Sequence, residues 1–193
     1  MLTAIDRPSR RARWTPGVLL LGALVLGLAA VVDGQQLGSG ARRGPIAFVS
    51  SSAGDPEIFS AATLDSELER LTRDASTDGS PAWTADGSRL AFVSDRDGDL
   101  EIYLIEADGS ELEQLTSDPA EDLFPAWSPD QQQLAFVSER DAGESARDYD
   151  GNAEMYMINA DGSGLRRLTI DPADDIHPTW SPDGGRIAFA SNH

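Results

Sequence analysis

The sequence contains no cysteine, no lysine and only two histidines. Without cysteine, the chain can form neither disulfide bonds nor thiolate metal sites. It also lacks the metalloprotease pair HExxH, the hydrolase elbow GxSxG and a glycine-rich phosphate loop that ends in lysine. We therefore expect a protein that is not an enzyme. The sequence offers no catalytic residue and no cofactor-binding residue, and calcium is the one cofactor that it suggests.

Charge is distributed unevenly along the chain. Residues 1–43 carry a net charge of +4 and the remaining 150 residues carry −22, with arginine as the only basic residue type. Such an acidic body repels nucleic acid, which we exclude as a partner, and it attracts cations or a basic protein. Alternatively, the acids keep a β-rich protein soluble and its strand edges unpaired.

The N-terminal region has the pattern of an export segment. A basic stretch in residues 1–13 precedes nineteen uncharged residues, 14–32, which as a helix reach about 28 Å and so span a bilayer. The basic flank stays in the cytoplasm, so the rest of the chain is expected outside it. A cleaved signal peptide is the alternative, with a secreted or periplasmic product. Residues 33–44 are glycine-rich and are expected to form a flexible linker.

Three markers repeat along the rest of the chain. Trp83, Trp127 and Trp180 follow one another at steps of 44 and 53 residues, and Ala-Phe and Leu-Thr pairs recur at the same steps. One insertion of nine residues, within 141–153, accounts for the longer step. Regular spacing of this length indicates a repeat architecture.

Each unit of the repeat is predicted to contain four short strands. The second strand, at residues 134–138, is apolar on both faces, which indicates that other sheets cover it on both sides. Asp97-Gly98 predicts a hairpin before the third strand, at residues 101–105. The fourth strand, at residues 112–116, does not alternate cleanly, so we expect an outer edge strand with a bulge.

These motifs resemble the TolB-type, WD40-like propeller repeat. The matching pattern includes Pro125-Ala126-Trp127-Ser128-Pro129-Asp130, Leu134-Ala135-Phe136, Ser94-Asp95-Arg96-Asp97-Gly98 and Glu101-Ile102-Tyr103. The resemblance implies an all-β fold for residues 45–193, with about three four-stranded blades in an incomplete ring. A homodimer that completes a six-bladed ring is a further expectation.

The expected function is an exported, membrane-anchored scaffold that binds a protein or peptide partner in the cell envelope. The resemblance suggests the envelope role, and the acidic body and missing catalytic motifs agree with a binding function. Two alternatives stay open: a truncated propeller part of a peptidase or hydrolase, and a calcium-dependent structural module.

Two sets of equivalent residues are candidate sites. Trp83, Trp127 and Trp180 are expected to fill the seams between blades, with an aromatic binding ring as the alternative. Asp78, Asp122 and Asp175 each lie three residues before the proline of a Pro-x-Trp motif. Carboxylates that converge at a channel mouth suit a hard cation such as calcium, and the alternative is that these acids cap turns.

Export is testable with a reporter enzyme that is active only outside the cytoplasm. Fused after Gly44, it should be active, because the apolar segment carries it across the membrane. The same reporter fused after Arg13, before the apolar segment, should be inactive. Activity from the Arg13 fusion alone would contradict the predicted topology.

Overall fold

The computed structural model describes residues 44–52, 54–63, 65–141, 152–170 and 172–192. These residues form thirteen β-strands and no helix. Accordingly, none of them belongs to a helix long and apolar enough to cross a membrane. The apolar segment 14–32 and nearly all of the predicted linker 33–44 lie outside the described residues, so both stay predictions.

The strands form four antiparallel sheets in which sequence neighbours pair. The first sheet has three strands, the second and third have four, and the last has two. The strands are β1 (Ile46–Ser50), β2 (Glu57–Ala61), β3 (Glu69–Arg70), β4 (Asp78–Trp83), β5 (Arg89–Ser94), β6 (Glu101–Glu106), β7 (Glu113–Gln114), β8 (Asp122–Trp127), β9 (Gln133–Ser138), β10 (Glu154–Asn159), β11 (Arg166–Arg167), β12 (Asp175–Trp180) and β13 (Ile187–Ser191).

The apolar second and third strands form the centre of each complete sheet. In β5 and β9 the five residues after the first are all buried, and in β6 and β10 the first five are buried. These strands lack a polar face because a neighbouring sheet packs on each side of them. The two four-stranded sheets therefore confirm the predicted blade.

The outer strand is shorter than predicted. It comprises only Glu113–Gln114, because the backbone N–H groups of Leu115 and Thr116 both turn to the carbonyl of Ile102, at 2.8 and 3.3 Å. Leu112 stays exposed, whereas Leu115 and Thr116 are buried. The expected strand over residues 112–116 is therefore too long at both ends. The expected bulge is present, since two consecutive N–H groups share the Ile102 carbonyl. The Leu-Thr pair instead turns inward and anchors the third strand.

Apolar clusters join neighbouring sheets, and a tryptophan packs against each cluster. The cluster between the second and third sheets includes Phe136 and Tyr156 from one sheet and Ile102 and Leu104 from the other, with Trp127 packed against it. Trp83 packs against the cluster between the first and second sheets, and Trp180 against a third cluster. The structure thus places all three tryptophans at seams.

The terminal sheets are incomplete within the described residues. The first lacks the innermost strand that β4 and β8 supply to the next two sheets, and the last contains only its first two strands. Phe189 in β13 is 45% exposed, whereas its counterparts Phe92 and Phe136 are fully buried. The sequence insertion lies between β9 and β10, mostly at residues 142–151, outside the described part of the chain.

The seam gives a stability prediction. Trp127→Ala should lower the free energy of unfolding by about 3–5 kcal/mol, because it empties a seam that joins two sheets. Trp127→Phe should cost about 1 kcal/mol, since it mainly removes the hydrogen bond that Trp127 Nε1 donates to the Ala82 carbonyl, at 3.1 Å. Urea denaturation measures both, with exposed Arg166→Ala as the control. Equal, small effects for all three variants would show that the seam does not hold the sheets together.

Candidate functional site

The polar groups of the repeat lie at one end of the sheets. There the innermost strand begins, the hairpin joins the second and third strands, and the connection from the preceding sheet arrives. We call this end the hairpin face and define it by hairpins 50–57, 94–101 and 138–141 and connections 72–78, 116–122 and 172–175. Backbone hydrogen bonds tie adjacent sheets together here: Asp78 N–H to Pro56 O, 2.9 Å; Asp122 N–H to Leu100 O, 2.7 Å; Asp175 N–H to Ala153 O, 2.8 Å.

Two of the predicted aspartates form buried ion pairs on this face. Asp122 is fully buried, and its Oδ2 lies 2.5 Å from Nη2 of Arg140. Asp78 is also fully buried, and its Oδ1 lies 3.2 Å from Nη2 of Arg96. Burial raises the pKa of Asp78, although hydrogen bonds and the Arg96 charge act in the opposite direction. The arginine of the Ser-x-Arg motif is therefore the counter-ion of the repeated aspartate.

Each guanidinium also lies over aromatic rings. Arg96 is 5.3 Å from the ring centre of Phe92 and 4.6 Å from that of Tyr103. Arg140 is 5.4 Å from the ring centre of Phe136, which lies in the same sheet. Each arginine thus contacts both the aspartate that it neutralises and the rings of its own sheet.

The third aspartate differs from the other two. Asp175 is fully buried, and neither of its carboxylate oxygens has a hydrogen-bond partner among the described residues. Position 193, which corresponds in sequence to Arg96 and Arg140, lies outside them. Within the described parts of the chain, no three His, Asp or Glu side chains are placed to hold a metal ion. The calcium site at Asp78, Asp122 and Asp175 stays a prediction.

A buried glutamate–threonine pair, which we did not predict, recurs in each of the first three sheets. Glu101 is 1% exposed, and its Oε2 accepts a hydrogen bond of 2.5 Å from Thr116 Oγ1. Thr116 Oγ1 in turn accepts the backbone N–H of Ile102 at 2.9 Å. Glu57 with Thr72, and Glu154 with Thr169, repeat this arrangement. The signal in the sequence was the glutamate that begins each third strand, followed by a Leu-Thr pair, since an acid at the start of an apolar strand needs a partner.

Acidic side chains follow one another across the hairpin face. The row comprises Asp99, Glu121, Glu139 and Asp174, from successive hairpins and connections. Desolvation, and then the charges of Glu139 and Asp99, raise the pKa of Glu121. Desolvation, and then Asp174, raise the pKa of Glu139. Neighbouring like charges therefore add to the effect of desolvation on the pKa values of Glu121 and Glu139.

A bulge interrupts each innermost strand at the same place. The pairing register shifts between Gly79 and Ala82, and equivalent shifts occur in β8 and β12. Within the bulges, Ser80, Phe124 and His177 have positive φ angles of 49°, 53° and 56°. Positive φ is uncommon for residues other than glycine and often marks functional positions. The following proline fits there because it has no N–H to give to the strand ladder.

The bulges bring side chains of neighbouring sheets together. The rings of Phe124 and His177 lie 4.3 Å apart between their centres. The sequence shows only a variable residue before each proline, so the shared backbone conformation was not predicted.

A family model described as the TolB beta propeller domain matches residues 42–145, more than half of the chain. The chain belongs to the TolB β-propeller family. A TolB homologue from Chlorobium luteolum is 31% identical over 148 residues, which cover 76% of this chain and 31% of that protein. The dipeptidyl-peptidase 5 of Porphyromonas gingivalis is 44% identical over 39 residues, 20% of this chain and 6% of that enzyme.

Solved structures agree with this family. The structure of TolB from Acinetobacter baumannii superposes with a TM-score of 0.64 at 25% identity, covering 75% of this chain and 34% of that protein. The chain therefore spans about a third of the length of each of these two TolB proteins.

Glu101 gives a prediction about pH. Burial, together with the neighbouring Asp122 charge, raises its pKa from 4.5 to about 7. A raised carboxyl pKa favours the protonated folded state, so this contribution to stability is complete below pH 4.5 and is lost as pH rises to about 7. Glutamine does not ionise, so Glu101→Gln removes the loss of stability that accompanies ionisation of Glu101.

The unfolding free energy of the parent minus that of Glu101→Gln should therefore be larger at pH 5 than at pH 8. The expected change is about 2 kcal/mol, because the pKa of Glu101 moves from 4.5 to about 7 on folding. Urea denaturation at both pH values measures it. Glu69→Gln, at an exposed position of β3, is the control for removing one charge. A difference that is constant with pH would contradict the assignment.

Proposed function

We propose that this chain is an exported, membrane-anchored propeller scaffold that binds a basic segment of a protein partner in the cell envelope. The observation that carries the proposal is the acidic row of the hairpin face, Asp99, Glu121, Glu139 and Asp174. Neighbouring acids contribute to the raised pKa values of Glu121 and Glu139. A cationic ligand would remove this repulsion between like charges.

The fold offers an extended surface to which a partner could bind. Rigid sheets hold the loops of the hairpin face, which is the usual arrangement for a recognition surface. The bulged positions Ser80, Phe124 and His177 add aromatic and polar contacts on the adjoining innermost strands. An acidic row beside aromatic side chains suits a peptide that carries arginine or lysine together with apolar residues.

Family membership supports the envelope location. The matched relatives include TolB proteins, and the sequence begins with a basic stretch before an apolar segment of membrane-spanning length. A propeller part of a peptidase is the alternative, and the local similarity to a dipeptidyl-peptidase speaks for it. A calcium-dependent structural module is the other alternative, and its site would involve Asp78, Asp122 and Asp175.

A homodimer that forms a six-bladed ring stays a prediction, and the strand order constrains it. Both terminal sheets contain a second strand, β13 in the last and β1 in the first. If the last sheet of one copy and the first sheet of the other joined into one blade, β13 and β1 would both occupy the position of its second strand. Ring closure by two copies therefore requires that β1 or β13 leave its place at each junction.

Partner binding is testable by site-specific photocrosslinking in cells that express the full chain. A photoreactive residue at position 121 or 139 should crosslink to an envelope protein, and the yield should fall when Glu121→Gln or Glu139→Gln is introduced at the other position. High salt should reduce the yield in isolated envelopes, since the contact is electrostatic.

The matched control places the same photoreactive residue at position 67, an exposed glutamate remote from the hairpin face. Products of equal yield from positions 67 and 121, or none from 121 and 139, would contradict the proposed binding surface. Mass spectrometry of the product identifies the partner and shows whether the contacted segment is basic.

A further inference from the structure

The aspartate–arginine pairs of the second and third sheets share one geometry. In the second sheet, Arg96 Nη2 lies 3.2 Å from Asp78 Oδ1, and Arg96 Nε donates to Ser94 Oγ at 2.9 Å. Ser94 is the residue that pairs with Asp78 across the two strands, and the ring of Phe92, two residues earlier, lies under the guanidinium. The third sheet repeats all three contacts with its own aspartate, serine and phenylalanine. An arginine site in this repeat therefore consists of a carboxylate, a hydroxyl and an aromatic ring.

The last sheet contains the same three groups. Asp175 pairs with Ser191 in the equivalent register, and Phe189 lies two residues before that serine. Asp175 is fully buried, and neither of its carboxylate oxygens has a hydrogen-bond partner among the described residues. The sequence has histidine at position 193, where the two preceding repeats have arginine. A buried carboxyl group without hydrogen bonds is costly, and a cation that donates to it removes that cost.

The ring and the hydroxyl of the last sheet are open to solvent. Phe189 is 45% exposed, whereas Phe92 and Phe136 are fully buried, and Ser191 is exposed as well. In the second and third sheets, the guanidinium lies across the ring and the serine hydroxyl and so reaches an aspartate that is itself fully buried. The same route leads from solvent to Asp175.

We propose that Asp175, Ser191 and Phe189 bind the guanidinium group of an arginine side chain from a partner protein. The carboxylate and the hydroxyl accept N–H groups from two different nitrogens, and the ring lies against the flat face of the guanidinium. Lysine cannot make this set of contacts, because its charge is compact and its three N–H groups belong to one nitrogen. The inference rests on the proposed function, in which the partner segment is basic, and it specifies arginine.

The site adjoins one end of the acidic row. Asp174 of that row directly precedes Asp175, and its carboxylate accepts the backbone N–H of Ala153 at 3.1 Å and the side-chain amide of Asn192 at 2.9 Å. These hydrogen bonds hold the end of β13, and with it Ser191, against the start of β12. The described groups of the site are therefore positioned before a ligand arrives, and a basic segment that follows the row reaches them at its end.

Fluorine NMR of the full chain in detergent micelles tests the site. A para-fluorophenylalanine at position 189 reports on the ring that the guanidinium covers. The probe is N-acetyl-L-arginine amide, and N-acetyl-L-lysine amide, which has the same charge, is the comparison. The arginine compound should shift the fluorine signal saturably. The lysine compound should bind at least about tenfold more weakly, because it cannot contact the carboxylate, the hydroxyl and the ring together.

Asp175→Asn should abolish the saturable shift, and Ser191→Ala should weaken binding about threefold or more through the loss of one hydrogen bond. Glu67→Gln, at an exposed position before β3, removes one charge elsewhere and should leave binding unchanged. No saturable shift, equal affinity for the two compounds, or a shift that survives Asp175→Asn would overturn the proposal. Since the probe contains no partner protein, this outcome is independent of crosslinking at positions 121 and 139, which tests the proposed function.

Urea midpoints of matched variants give a second measurement, which also shows that the variants fold. Asp175→Asn should leave the midpoint unchanged or raise it, because no ion pair is lost. Asp122→Asn should lower the midpoint, since the guanidinium of Arg140 then loses its carboxylate. Equal losses for the two variants would show that Asp175 already has a partner within the chain, and this result would overturn the proposal.

Discussion

The fold depends on the mutual burial of apolar strands by neighbouring sheets. The second and third strands have no polar face, so a single sheet cannot exist alone in water. Phe92 and Phe136 are fully buried because another sheet packs on each of them, whereas Phe189 in the last sheet is half exposed. Stability therefore accumulates from sheet to sheet, as in other repeat proteins, and the tryptophans at the seams connect one unit to the next.

Burial of polar groups at the hairpin face follows from the same packing. Close contact between sheets removes water from the ends of the strands, so the carboxylates there need partners within the protein. Asp122 has Arg140, and Glu101 has the Thr116 hydroxyl and the Asp118 backbone N–H. The polar repeat motifs thus satisfy the buried groups at this end of the sheets.

Much of the fold could be predicted from the sequence because the repeat is regular. The spacing of Trp83, Trp127 and Trp180 gives the size of the unit, and the apolar run in β9 gives its buried strand. The partners of Asp78 and Asp122 could not be predicted in this way, since Arg96 and Arg140 follow them by eighteen residues and meet them only across a strand pair. The fourth strand was predicted too long because the inward turn at Leu115 depends on a tertiary hydrogen bond to Ile102.

The bulge in each innermost strand separates the shape of the backbone from the identity of the side chain that it presents. A hydroxyl at Ser80, a benzyl ring at Phe124 and an imidazole at His177 are all carried by the same left-handed backbone conformation. Because the proline and the register shift set that conformation, exchanging one such side chain for another leaves the scaffold intact. Each of the three described innermost strands of this chain thus has one position at which the side chain can change without redesign of the fold.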